Sequence, residues 1–122
     1  MNIFYLSDYP HLCAEFHCDK HVVKMILETA QMLSTAHHEL DGENAVEGIY
    51  KSTHKNHPSN IWVRENYGNY QYTWELLYHL LEQYKIRYKK THATHRLLDP
   101  LSIRPKNISG MPVPTEPPQC MP

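Results

Sequence analysis

The run from His17 to Gln31 gathers imidazole, amine, carboxylate and carboxamide groups at helical spacing. At about 100° per residue, His17, His21, Lys24, Glu28 and Gln31 fall within an arc of roughly 80° on a continuous helix. Proton transfer needs an imidazole or a carboxylate, and covalent catalysis needs a nucleophile such as a deprotonated amine. His17, His21, Lys24 and Glu28 are therefore the catalytic candidates, with Lys20 and Gln31 as substrate or phosphate contacts. Val22, Val23, Met25, Ile26, Leu27, Ala30, Met32, Leu33 and Ala36 cover most of the remaining circumference. Such a helix is largely buried, so its polar stripe must face solvent or a polar cleft. In the solvent alternative, Lys24 and Glu28 are an ordinary pair one turn apart.

A second cluster, Thr53-His54-Lys55-Asn56-His57-Pro58, stands directly before a long helical pattern. The free backbone N–H groups of a helix start, with His54, Lys55, Asn56 and His57 around them, make a phosphate-binding corner. Trp62, Arg64 and His92 complete the expected substrate contacts; His92 belongs to a third polar set, Thr91–Arg96. His17 and His21 also have the spacing of a two-histidine metal site that His54, His57 or Glu28 can complete. No His-Glu-x-x-His is present, and Lys20 and Lys24 would repel a cation, so neither metal nor cofactor is expected.

These groups require helices to hold them. Ser7-Asp8 before Tyr9-Pro10 is a helix-start signal. Lys20 to about Glu39 reads as one helix, ended by Leu40-Asp41-Gly42, and residues 41–57 as a polar loop. Pro58 then opens the longest element, in which Tyr67, Tyr70, Trp74, Leu77, Leu81, Tyr84 and Tyr88 recur at steps of three and four, a core-facing stripe. Gly68 weakens that helix by about 1 kcal/mol relative to alanine. A shorter helix is expected from Ala93 to Leu98. Prolines occupy six of the eighteen positions from Pro105 to Pro122, so this tail is extended.

The chain has 122 residues, 41% hydrophobic and 20% charged, which suits one globular all-α domain: a helical body over 1–104 and a proline-rich tail over 105–122. Cys13, Cys18 and Cys120 are odd in number and lack zinc-knuckle spacing. No apolar run reaches a membrane-spanning length, and the start lacks the form of a signal peptide, so a cytoplasmic protein without membrane contact is expected. The net charge of −1 argues against a uniformly basic nucleic-acid binder. Its distribution is uneven: four acids and no base lie between Glu39 and Glu47, and five bases and no acid lie between Lys85 and Arg96. A local basic strip can bind phosphates on a neutral chain.

The sequence Phe16-His-Cys-Asp-Lys-His-Val-Val-Lys-Met-Ile-Leu-Glu-Thr-Ala-Gln31, followed by Thr53-His-Lys-Asn-His-Pro58, Ile61-Trp62, Arg87-Tyr88, Lys90-Thr91-His92 and the closing Pro-Gln-Cys-Met-Pro, resembles small bacteriophage-type proteins labelled pyrimidine-dimer DNA glycosylases. More distantly, Ala14–His21 is similar to the signature helix of the endonuclease V type of dimer glycosylase. That resemblance implies a compact all-helical enzyme that flips a base, attacks the sugar C1′ with an amine and cleaves the strand through a Schiff base. His17 and His21 stand where that family has arginines, and Cys18 where it has the catalytic glutamate, which leaves Asp19 or Glu28 as the carboxylate. The amine would be that of Met1 or a lysine, Lys24 or Lys20. The implied partner is DNA, in the host cytoplasm for a phage-encoded protein. A near-neutral charge instead suits an enzyme on free nucleotides or modified bases, and a solvent-open stripe suits a non-catalytic phage-type binding module.

Overall fold

The computed structural model describes residues 19–110 and Thr115. Among these the chain is all-helical, without strands. Helix α1 spans Asp19–Asp41, α2 Pro58–Glu65, α3 Tyr67–Tyr88 and α4 Leu98–Ser102, with short 3-10 turns at Gly42–Asn44 and Ala93–Leu97. No described helix is long and apolar enough to cross a membrane. The expected helix start at Ser7-Asp8, the three cysteines and most of the proline-rich tail lie outside the described residues.

Helix α1 packs mainly on α3 and next on α2. Its inner face of Val22, Met25, Ile26, Ala30, Leu33 and Ala36 is fully buried against Leu76, Leu77, Leu80 and Leu81 of α3. Each such side chain contributes roughly 1.5–3 kcal/mol through removal from water. Polar residues also enter this face, because their hydroxyls bond back to the preceding turn: Thr29 Oγ1 donates to Met25 O at 2.6 Å and Ser34 Oγ to Ala30 O at 2.7 Å. A departure from the hydrophobic pattern concerns Val23 and Leu27, which remain 40% and 43% exposed because no helix among the described residues covers that side of α1.

The long element expected from Pro58 is two helices. Asn66 adopts an extended conformation and ends α2; its side chain then accepts from Asn69 N at 2.8 Å and starts α3. Gly68 therefore occupies the first turn of α3, where its flexibility costs less than mid-helix. In the stripe on α3, Tyr70, Leu77 and Leu81 are core, whereas Tyr88 at the far end is exposed. The region expected as one helix over Ala93–Leu98 is the 3-10 turn followed by α4. At the other end of α1, the Asp41 carboxylate accepts from Lys106 N at 2.8 Å and Asn107 N at 3.0 Å, which ties the start of the tail to the body. Further along, Thr115 N donates to Asn69 Oδ1 at 2.7 Å.

Candidate functional site

The exposed side of α1 forms one wall of a cleft of about 580 Å³. Lys24, Glu28 and Gln31 line it from successive turns, with Val23 and Leu27 as an apolar border. His54 and Tyr50 enter from the loop before α2, and His92, Ala93 and Thr94 from the turn after α3. This volume lies within the usual range for small-molecule sites. No ion pair joins Lys24 to Glu28, and neither has a hydrogen-bond partner among the described residues.

The polar walls are held by the surrounding chain. Tyr50 Oη and Thr94 Oγ1 are 2.8 Å apart, and the Arg96 guanidinium lies 5.7 Å from the centre of the Tyr50 ring. His92 caps the turn that follows it: Nδ1 accepts from Thr94 N at 3.0 Å, while the ring packs edge-on against Tyr84 at 5.0 Å. An Nδ1 that accepts must be unprotonated, so His92 is a neutral imidazole with its proton on Nε2. Burial lowers its pKa below the ordinary value of 6.5 and maintains that form. His92 belongs to the basic strip, in which Lys85, Lys89, Lys90 and Arg96 are exposed. Arg87 of the strip is bound to Asp19 at 3.0 Å.

His54 has a left-handed backbone with φ of 48°. The only other described non-glycine residue with positive φ is Lys89, at the C-terminus of α3 where that conformation is common. His54 stands at no helix end. Its carbonyl accepts from His57 N at 2.9 Å and from Asn60 Nδ2 at 2.6 Å.

Of the residues singled out in the sequence, Lys24, Glu28, Gln31, His54 and His92 thus meet in one cavity. His17 and the side chain of His21 lie outside the described residues, and so does the metal site drawn from them; among the described residues no three metal-ligating side chains gather. Lys20, Lys55 and Asn56 are exposed away from the cleft lining. His57 is the cap of α2: Nδ1 accepts from Ser59 N at 3.1 Å, and its pKa is lowered, first by burial and also by the neighbouring charge of His54. The capped α2 N-terminus is thus satisfied from within.

Trp62 requires a correction. It is 3% exposed, packs edge-on against Tyr72 at 6.3 Å and donates its indole N–H to Thr115 O at 3.3 Å, so it belongs to the core and cannot stack with a base. Arg64 is half-buried and does not line the cleft. Tyr50, Thr94 and the apolar border were not anticipated as site residues. Only the nearness of Tyr50 to Thr53-His54 in sequence pointed to it.

A smaller cavity of about 260 Å³ lies at the opposite end of α1, between His37, Asp41 and the chain at Ile103–Lys106. Compared with known proteins, no family model, no curated protein and no solved structure matches this chain.

Proposed function

We propose that the cleft is the working site of an enzyme on DNA, a glycosylase with strand-cleaving lyase chemistry of the pyrimidine-dimer type. The observation that supports this reading is the meeting, in one cleft, of an amine and a carboxylate without partners among the described residues and two imidazoles, with the Arg96 guanidinium over the Tyr50 ring at its edge. In this scheme the Lys24 amine attacks C1′ as the bond from C1′ to the base breaks. The base leaves with the electron pair and takes up the proton that the attacking nitrogen loses. The nitrogen lone pair then opens the sugar ring, with O4′ taking up a proton from solvent, to give a protonated imine on Nζ, and Glu28 removes the C2′ proton as the C3′–O bond breaks and the 3′ phosphate departs. Neutral His92 donates a hydrogen bond to the sugar–phosphate, and His54 contacts it from the facing loop.

Borohydride reduction during reaction with abasic or dimer-containing duplex tests this directly. Wild type is expected to yield a covalent adduct that Lys24→Ala abolishes. Absence of any wild-type adduct, under conditions where an established lyase is trapped, removes the amine chemistry. A second reading, an enzyme on free nucleotides, is favoured by the nucleotide-sized volume and the net charge of −1. Mononucleotide binding without duplex binding would select it.

A further inference from the structure

The strained backbone of His54 has an identifiable support. Asn60 is 1% exposed and lies one turn into α2. Its single amide group donates to both carbonyls that flank the His54 Cα: Nδ2 reaches Thr53 O at 3.1 Å and His54 O at 2.6 Å. Two successive carbonyls can meet one NH2 group only if the chain curls between them, which fixes φ and ψ of the intervening residue. Fully buried Thr35 holds the preceding peptide from α1, accepting from Thr53 N at 3.1 Å and donating to Thr53 O at 3.3 Å. The other end of the Asn60 carboxamide, Oδ1, is buried without a partner among the described residues. A strained residue at the cleft edge and an unsatisfied buried acceptor directly behind it are costs that fold stability alone does not require.

We infer that Asn60 is a positioning residue, whose carboxamide clamps the Thr53 and His54 carbonyls and thereby sets the His54 imidazole into the cleft. Its functional consequence rests on the reading of the cleft as the working site; the clamp itself does not. The left-handed conformation is wanted because it directs the side chain away from the path that an extended loop would give it. Asn60 thus acts through His54 and touches no ligand.

Two measurements on the full chain separate these claims. In wild type, the His54 amide should show the strong intraresidue Overhauser effect to Hα that a positive φ produces. In Asn60→Ser, which replaces the two amide N–H donors by one shorter hydroxyl that cannot reach both carbonyls, that signal should weaken as His54 relaxes to negative φ. An unchanged signal overturns the clamp, whatever the cleft does. The second measurement is a double-mutant cycle on the rate of borohydride trapping with an abasic duplex. Asn60→Ser and His54→Ala should each slow trapping by about tenfold, and the double variant should be no slower than His54→Ala. Multiplying losses would overturn positioning and leave a general structural role. Should Asn60→Ser not fold, Asn60→Ser in a His54→Gly background supplies the test, since glycine adopts positive φ without a clamp. Recovery of folding there supports the clamp, and failure to recover opposes it. A wild type that does not trap at all refutes the lyase reading, and the Overhauser measurement then judges the clamp alone.

Discussion

Replacing Tyr70 by phenylalanine is a stringent test of how the two ends of α1 differ. Tyr70 is 1% exposed, and its hydroxyl donates to Leu101 O at 2.6 Å. A phenol has one proton, so the 2.8 Å bond between Tyr70 Oη and His37 Nε2 must be donated by the imidazole. Burial raises the phenol pKa far above its ordinary value and keeps that donor in place. Phenylalanine preserves the ring and opens no cavity, but it leaves the Leu101 carbonyl and the His37 N–H without their partner. An abandoned buried group costs about 1–3 kcal/mol, so the pair should cost about 2–6 kcal/mol. That is a large share of a total stability of roughly 5–15 kcal/mol. With a urea m-value of about 2 kcal/mol/M, a loss of 3 kcal/mol lowers the midpoint by on the order of 1.5 M. Urea unfolding followed by circular dichroism measures it. A loss below about 0.5 kcal/mol at unchanged m refutes the relay from His37 through Tyr70 to Leu101. Trapping at the cleft should be unaffected in the folded variant, since none of the three residues lines it.

Three further outcomes follow from the same geometry. His37, His57 and His92 all have pKa values lowered from 6.5, chiefly by burial; at His37 the Asp41 carboxylate and the Ile103 carbonyl oppose that shift, and His38 adds to it. The unfolded chain therefore binds more protons just below pH 6.5, so stability is complete above that pH, declines as pH falls from 6.5 to the lowered values and levels off beneath them; equal melting temperatures at pH 7.5 and 5 would contradict this. Asp41→Ala removes a charged acceptor from two backbone N–H groups of the tail, with an expected cost of about 2–4 kcal/mol; amide exchange at Lys106 and Asn107 should accelerate by at least about tenfold, and unchanged exchange would show that the tail is held elsewhere. Duplex binding should depend steeply on salt, because about four phosphate contacts from the exposed Lys85, Lys89, Lys90 and Arg96 of the strip give a logarithmic slope near −3 to −4; anisotropy titrations with no affinity at low salt would favour the nucleotide reading.

The polar stripe of α1 was legible because charged groups at a helical period cannot face a core, and the all-α class followed from the same periodicity. The break at Asn66 was less legible. Its signals, an asparagine followed by Gly68 two residues later, are local and weak beside an aromatic stripe that continues in register with them. Val23, Leu27 and Trp62 show the other limit. An isoleucine-like residue is apolar whether a neighbouring helix covers it or a cleft exposes it, and only the placement of α3 and the Tyr50–His54 loop decides. Trp62 sat beside a cluster of histidines and a lysine, yet α3 and Thr115 enclose it. Hydrophobicity marks what can be buried, and topology determines what is.

A similar distinction operates among the polar residues of α1. Thr29 and Ser34 satisfy themselves on the preceding turn, His37 is held at Nε2 by Tyr70 with its Nδ1 buried without a partner among the described residues, and the Asp41 carboxylate is satisfied by the tail. Lys24, Glu28 and Gln31 have no hydrogen-bond partner among the described residues, although they lie on the same helix. Residue type alone does not separate these groups, since both sets contain ionisable side chains. What separates them is whether the chain supplies the partner. A polar group already satisfied gains little from a ligand, because it must give up one bond to make another. An amine and a carboxylate without partners among the described residues, beside an apolar border, have only water to lose, so binding free energy is available at the 23–31 end of α1, whereas at the 37–41 end the Asp41 carboxylate and His37 Nε2 are already engaged. For that reason the functional reading rests on the larger cleft, and the smaller cavity beside His37 is read as part of the fold.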